Sequence, residues 1–353
     1  MTYTFIKLAC VAGTVAACAA MYPLVLSSQG QARGGDAAPE AEISNGEIRA
    51  KLYLPDAERG FYRSTRFDWS GIISSLQYKG HEFYGPWFTK SDPPVRDFIY
   101  KDADIIVGAQ SAVMGPAEEF QRPQGFAQAK AGGTFVKIGV GVLRKAGDAN
   151  YSPYANYAVV DPGKWSVKKN ADSVEFTQEL NDAASGYGYV YTKVVRLTRG
   201  RPELVIEHTL RNTGRLPLET SQYNHNFLVL DKSATGPDFA IAVPFEIHTD
   251  RPPDPKLAEI SGKEILYRKA LVGEERVTFP VTGFSKDPKD YDFRVENRKT
   301  GAGFRVTSDR PVASASLWSI RSVISMEPFV DVTTQPGAAT EWKYTYTYFV
   351  NAK

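Results

Sequence analysis

Cysteine is nearly absent from this 353-residue sequence, and both cysteines, Cys10 and Cys18, lie near its start. The rest of the chain therefore forms no disulfide, carries no thiol nucleophile and offers no cysteine ligand to zinc. Histidine is scarce as well, with four residues in all. Few side chains are thus available to exchange a proton near neutral pH.

An excess of charge of either sign is also missing. Lysine and arginine number 42 against 40 aspartates and glutamates, which leaves a net charge of +2 without any block of like charge. Binding of nucleic acid requires a concentrated basic surface. The composition therefore predicts no nucleic-acid partner.

The N-terminal residues have the layout of a secretory leader. Lys7 precedes an apolar run from Leu8 to Leu26, and a polar stretch of small residues follows. This order is typical of an export signal rather than of a folded helix. We expect a leader over residues 1–26, a flexible linker over residues 27–44, and a protein located in the periplasm or at the outer envelope.

Cys18 allows a second interpretation of the same segment. The run Val15-Ala16-Ala17-Cys18 resembles a bacterial lipobox, which would make Cys18 the lipidated first residue of a lipoprotein. The apolar run continues past Cys18, which favours plain export or an uncleaved anchor. Membrane attachment is expected only through the leader or through a lipid on Cys18.

Long helical periodicity is nearly absent from the body of the chain. Instead, short runs of alternating polarity follow one another, each bounded by Gly, Pro, Asn or Asp. The clearest are IRAKLYL, GIISSLQY, SVEFTQEL, YVYTKVVRLT, ELVIEHTLR, FAIAVPFEI, GFRVTS and WKYTYTYFV. We predict an all-β fold, a large antiparallel β-sandwich that forms a single domain over residues 45–353. Short helices are expected only in GPAEEF and PPDPKLAEIS.

The central segment carries a family resemblance. A Gly186-Tyr187-Gly188 turn is followed by two long strands and then by Asn224-His225-Asn226-Phe227. This order resembles the aldose 1-epimerase (galactose mutarotase) family, in which a glycine-rich turn and paired strands lead to an Asn-His-x-Tyr-Phe-Asn segment. Asn224 and His225 match the Asn-His pair, whereas the later Tyr and Asn have no counterpart. The resemblance implies a galactose mutarotase-like supersandwich and a mono- or oligosaccharide ligand.

His225 is also a candidate on residue chemistry alone. Imidazole gives and takes protons near neutral pH. Asn224, Asn226 and Tyr223 beside it are able to hold an imidazole or a sugar hydroxyl. We therefore take His225 as a catalytic candidate, with Asn224 and Tyr223 as binding candidates.

Glu327 is the second catalytic candidate. It stands between Met326 and Pro328, and a carboxylate in apolar surroundings is costly unless it is paired or functional. Pro336-Gly337 then predicts a turn before the last strand. A glutamate shortly before such a turn resembles the general base of the sugar mutarotases, and the resemblance assigns that role to Glu327.

A glutamate and a histidine on opposite faces of one sugar ring would interconvert its anomers. One group deprotonates the anomeric hydroxyl and the other protonates the ring oxygen, so the ring opens and closes again. We expect the two side chains to lie on facing strands, about 6–9 Å apart, which leaves room for the ring. The reaction requires no metal and no cofactor.

Further binding candidates lie upstream of this pair. Arg66 belongs to an aromatic-rich stretch and matches the position of a substrate-binding arginine in the family. The family's second histidine has no counterpart here. Glu118, Glu119, Lys130 and Lys137 are the polar residues of that region, and Glu119 and Lys130 are taken as binding candidates.

Two other functions remain open at this point. A carbohydrate-binding envelope protein would keep the cleft without the chemistry, and the missing histidine favours it. A polysaccharide lyase on the same fold would need a base beside a clamp for an acidic sugar. Arg63, Arg66, Lys130 and Tyr223 would form such a clamp.

Overall fold

The computed structural model describes residues 37–351, and its two largest β-sheets pack face to face. The expectation of an all-β antiparallel sandwich is therefore confirmed. The predicted leader, Cys10 and Cys18 lie outside the described residues. None of the helices within residues 37–351 has the length and apolar character needed to cross a membrane.

The larger sheet contains ten strands. In spatial order they are β12 (Lys164–Lys169), β13 (Ser173–Asp182), β14 (Tyr187–Leu197), β15 (Glu203–Asn212), β25 (Ala339–Val350), β22 (Ala302–Ser308), β21 (Asp292–Asn297), β17 (Phe239–Ala242), β19 (Glu264–Tyr267) and β18 (Ala258–Ser261). All neighbouring strands in it run antiparallel.

The second sheet contains five strands and carries the candidate site. Its spatial order is β20 (Arg276–Pro280), β23 (Ser314–Ile320), β24 (Val323–Thr334), β16 (Leu218–Phe227) and β8 (Gly115–Phe120). Strand β24 lies in the middle, so side chains of β16, β24 and β23 stand in adjacent rows across the sheet.

Smaller sheets and two short 3-10 helices complete the described chain. The small strands are β1 (Glu40–Ser44), β2 (Ile48–Tyr53), β3 (Ile72–Tyr78), β4 (His81–Glu82), β5 (Lys90–Ser91), β6 (Phe98–Lys101), β7 (Asp104–Val107), β9 (Thr134–Lys137), β10 (Gly141–Arg144) and β11 (Ala158–Asp161). The 3-10 helices cover Leu230–Lys232 and Pro288–Asp290.

Period-two alternation explains how the two large sheets meet. Along β14, Tyr191, Val195 and Leu197 are buried, whereas Val190 and Val194 on the opposite face are half-buried. The inward-facing side chains of both sheets form one apolar core, as expected for face-to-face packing.

The outer face of the five-stranded sheet is buried too, which decides where the site lies. Loops and the short strands β5 to β7, from residues 54–70, 83–113 and 151–157, cover this face and build a second apolar cluster on it. Phe67 and Trp87 from these loops pack against Phe227 of β16. Polar side chains on this outer face therefore stand in a largely water-excluded space.

Three details of the predicted secondary structure are wrong. Residues 40–44, assigned to the linker, form β1 because Ala41 and Ile43 alternate with polar residues and are buried against the sheet. The run GPAEEF is strand β8, not a helix, since both glutamates find buried cations on opposite faces of it. The run PPDPKLAEIS contains a turn closed on Asp254 and then β18.

Candidate functional site

Strand register brings His225 and Glu327 together. His225 lies on the outer face of β16 and Glu327 on the outer face of the neighbouring strand β24. On the other side of Glu327, Ser316 of β23 is its direct partner across the sheet. The three side chains thus form one row on the covered face.

The contact between the two candidate catalytic residues is direct. His225 Nδ1 lies 3.1 Å from Glu327 Oε1 and 2.7 Å from Ser325 Oγ. The alignment favours Ser325 as the hydrogen-bond partner of the imidazole. Glu327 Oε2 accepts from Ser316 Oγ at 3.2 Å. Oε1 is buried and accepts no hydrogen bond among the described residues, although it lies against the His225 ring.

The expected separation of 6–9 Å on opposite sides of a sugar ring is wrong. Directly opposed residues on adjacent antiparallel strands have Cβ atoms only about 5 Å apart, which leaves no space for a ring between them. His225 and Glu327 therefore lie together on one side of the cavity.

Burial sets the protonation of this pair. It raises the pKa of Glu327 to about 8, although Arg66 and the two serines oppose the rise. It also lowers the pKa of His225 well below its usual value, and the charge of Arg66 acts in the same direction. Near neutral pH the pair therefore holds one proton, placed mainly on the carboxyl group, with a neutral imidazole beside it.

Arg66 is the cation of the site. Its guanidinium is buried between Phe67 and Tyr154, with the central carbon 4.5 Å and 4.8 Å from the two ring centroids. Nη2 donates to Tyr223 Oη at 3.2 Å, and Nη1 donates to Ser111 Oγ at 3.4 Å. These bonds hold the planar group at the wall of the cavity.

Glu119 lies beneath Arg66 and does not line the cavity. Its Oε2 accepts from Arg66 Nε at 3.0 Å and from Tyr223 Oη at 2.8 Å, and its Oε1 lies 3.3 Å from Lys137 Nζ. Burial alone would raise the pKa of Glu119, but Lys137 and Arg66 outweigh it and the pKa lies below its usual value. Tyr223 and Glu119 thus orient Arg66 instead of touching a ligand themselves.

Two predicted binding residues are not in the site. Asn224 follows Tyr223 on β16, so its side chain faces the core between the sheets, where a sugar has no access. Lys130 is exposed on the loop before β9, and it does not line the cavity. Lys137, another of the polar residues of this region, is the lysine that reaches the site, through Glu119 and Tyr151.

A cavity of about 130 Å³ opens above the pair. Typical sites for drug-sized ligands begin at about 300 Å³, so this one suits a small ligand. The lining residues are Arg66, Trp87, Asp97, Phe98, Ser111, Tyr154, His225, Phe227, Thr278, Ser316, Trp318 and Glu327. Both aromatic rings and polar groups line its walls, a composition that suits a sugar with its C–H faces and hydroxyls.

Several lining residues were missed from the sequence. Asp97 and Tyr154 lie in loops, where no periodicity marks a site residue. Ser314, Ser316 and Trp318 alternate along β23 and share the face that lies beside Glu327 of β24. This alternation in the sequence could have identified Ser316 and Trp318 as site residues.

A second buried ionic cluster lies on the inner face of β8 and is closed off between the sheets. Glu118 Oε1 lies 2.9 Å from His208 Nε2, and Glu118 Oε2 lies 2.7 Å from Lys193 Nζ. Burial opposes ionisation, but His208 and Lys193 hold the pKa of Glu118 at about 2. All three side chains are buried, so this cluster is part of the core and not of the cavity. Within residues 37–351, no group of three or more His, Cys, Asp or Glu side chains is arranged to hold a metal ion.

Solved structures that resemble this chain include aldose 1-epimerase homologues and galactose mutarotase-like proteins. An aldose epimerase homologue from C. elegans is 16% identical over 90% of this chain and 100% of its own length, with a TM-score of 0.52. A proposed aldose 1-epimerase from Escherichia coli K12 is 12% identical over 88% and 99%, with a TM-score of 0.51. A galactose mutarotase-like protein from Clostridium acetobutylicum is 10% identical over 88% and 95%, with a TM-score of 0.50.

The likeness lies in the fold rather than in the sequence. No family model and no curated protein matches the sequence. The chain has the galactose mutarotase-like fold, as the resemblance predicted.

The shifted pKa of Glu327 predicts a pH-dependent stability. Between about pH 7 and 8 the folded protein holds one proton in the His225–Glu327 pair that the unfolded chain has released, because unfolded Glu and His are both deprotonated there. The raised pKa thus contributes stability at low pH that is lost as pH rises towards 8. The free energy of unfolding of the wild type should fall relative to Glu327→Gln by up to about 1 kcal/mol per pH unit. Urea unfolding of both proteins across this range measures the difference, and parallel curves would contradict the assignment.

Proposed function

We propose that this protein interconverts the anomers of a sugar by acid–base catalysis, as an aldose 1-epimerase does. The observation that supports this most strongly is the His225–Glu327 pair at the cavity wall. It holds one transferable proton, and both residues line the cavity. The fold shared with aldose 1-epimerase-like proteins supports the same reaction.

The proposed reaction uses the pair from one side of the sugar. The carboxyl group of Glu327 donates its proton to the ring oxygen while the pair accepts the proton of the anomeric hydroxyl. The C1–O5 bond breaks, the C1–O1 bond becomes a carbonyl, and the pair again holds one proton. Rotation about C1–C2 followed by the reverse transfers closes the ring on its other face. A carboxyl group with a pKa near 8 suits both directions of transfer at neutral pH.

The remaining walls fit the binding of a pyranose. Tyr154 and Trp318 are half-buried aromatic residues of the cavity wall, and aromatic rings pack well against sugar C–H groups. Arg66 keeps N–H donors for hydroxyls, since its described partners occupy only some of its five.

The geometry gives little support to a nucleophilic serine. Ser325 Oγ and Glu327 Oε1 both face Nδ1 of His225, whereas a Ser-His-acid triad uses the two ring nitrogens for the serine and the acid. The lyase alternative is weakened in a similar way, because Lys130 and Arg63 do not line the cavity.

A carbohydrate-binding protein without catalysis remains the second candidate. The observation in its favour is the direct contact of His225 with Glu327, because the two groups cannot lie on opposite faces of one ring. Rate measurements on substituted proteins separate the two candidates.

Glu327→Gln keeps the shape of the side chain and removes the transferable proton. We expect it to lower the rate of anomer interconversion by about 10²-fold or more, the usual contribution of a positioned acid or base, with sugar binding retained. His225→Asn should give a loss of similar order, since the two residues act as one pair. Polarimetry on fresh solutions of single anomers of several aldoses measures these rates.

Matched controls lie outside the cavity. Glu341→Gln and His248→Asn change the same residue types at exposed positions and should keep the wild-type rate. Sugar binding without acceleration in the wild type would reject the epimerase and favour the binding protein.

We also propose that the protein acts outside the cytoplasm, on the basis of residues 1–26 alone. Expressed in bacteria, the full chain should reach the envelope fraction, and a chain lacking residues 1–26 should stay in the cytosol. Mass spectrometry of the mature N-terminus tests the role of Cys18, with Cys18→Ser as control. An uncut full-length chain in the cytosol would contradict export.

A further inference from the structure

Asp97 is a charged residue at the cavity that the proposed reaction does not use. Its side chain is about one-third exposed, and Oδ1 lies 3.9 Å from Nη1 of Arg66. Ser111 Oγ donates to the same oxygen at 2.6 Å and also accepts from Arg66 Nη1. The carboxylate is therefore fixed at the mouth of the cavity, next to the guanidinium.

The backbone at Asp97 is strained in order to hold this position. Its φ of 60° lies in the left-handed region, which residues other than glycine rarely adopt. The amide of Gly108 donates to the carbonyl of Asp97 at 2.7 Å, and a Cβ at Gly108 would stand 1.7 Å from the carbonyl oxygen of Val95. Such strain is typical of functional sites, where the surrounding structure enforces it.

Asp97 completes the charge balance of the site. The cations Arg66 and Lys137 face the anions Glu119 and Asp97, and Glu119 is bonded to both cations beneath the cavity. Without Asp97 this group would present a net positive charge to a ligand. Arg96 lies on the rim with its guanidinium carbon 5.9 Å from the Tyr154 centroid, and it is exposed, so water and salt screen its charge.

We propose that Asp97 is a specificity-determining residue. It neutralises Arg66 at the cavity mouth, so that the site accepts uncharged sugars and disfavours sugars that carry a carboxylate. This inference rests on the proposed function in one respect only, namely that the cavity binds a sugar.

The test compares sugars that differ only in the charge at C6. Binding of D-glucose against D-glucuronate, and of D-galactose against D-galacturonate, is measured by calorimetry at low ionic strength. The wild type should bind the neutral member of a pair more tightly. In Asp97→Asn the ratio of affinities should shift towards the uronate by about tenfold, as expected for removing one charge beside a partly exposed arginine.

Asp104→Asn is the matched control. It makes the same change in net charge at a half-buried aspartate that pairs with Lys90 and does not line the cavity. It should leave the ratio unchanged. Asp97→Gly provides a second variant that favours the left-handed backbone and lacks the carboxylate, and it should show the same shift as Asp97→Asn.

The outcomes separate this inference from the proposed function. If the wild type binds no member of either pair, the sugar site itself is rejected. If the wild type binds the neutral sugars but both Asp97 variants keep the wild-type ratio, the role of Asp97 is rejected and the sugar site stands. A wild type that prefers the uronates would also overturn the role of Asp97.

Discussion

The buried ion pair between Arg66 and Glu119 supports the rest of the site, with Nε 3.0 Å from Oε2. Both side chains are buried, so each would be costly without the other. Tyr223 and Lys137 make the other hydrogen bonds of Glu119. The other hydrogen bonds of Arg66, to Tyr223 and Ser111, fix its guanidinium at the cavity wall. The positive charge of Arg66 in turn limits the rise in the pKa of Glu327 and adds to the fall in the pKa of His225. One buried pair thus fixes a wall of the cavity and modifies the protonation that burial sets for its candidate catalytic residues.

Strand β8 shows how the fold separates stability from function. Glu118 and Glu119 are neighbours in sequence and face opposite sides of the sheet. Glu118 joins His208 and Lys193 in the core between the sheets, whereas Glu119 joins Arg66 under the cavity. Each face of β8 therefore buries a glutamate, and each glutamate is paired with basic side chains. A polar site on the outer face is possible only because loops cover that face and exclude most of the water.

Much of the fold could be predicted because alternation along a strand is a local property, and it marks β13 to β15 and β25 clearly. The run GPAEEF failed because its two glutamates suggest a helix until their partners, which are distant in sequence, are known. His225, Glu327 and Arg66 were found through scarcity, an apolar setting and a family resemblance. The distances between these three side chains could not be predicted, because they depend on the register of neighbouring strands. Asp97, Tyr154 and Lys137 act through contacts between loops and strands far apart in sequence, and local patterns do not carry such information.

The central claim is that the His225–Glu327 pair meets the anomeric centre of a sugar from one side. A crystal structure of Glu327→Gln with a bound aldose tests it most directly, because the variant retains the shape of the site and slows the reaction. We expect the anomeric or ring oxygen to lie within hydrogen-bond distance, about 3 Å, of the side chain at position 327, with His225 on the same side of the ring. A sugar bound in the cavity with its anomeric carbon turned away from both residues would contradict the account.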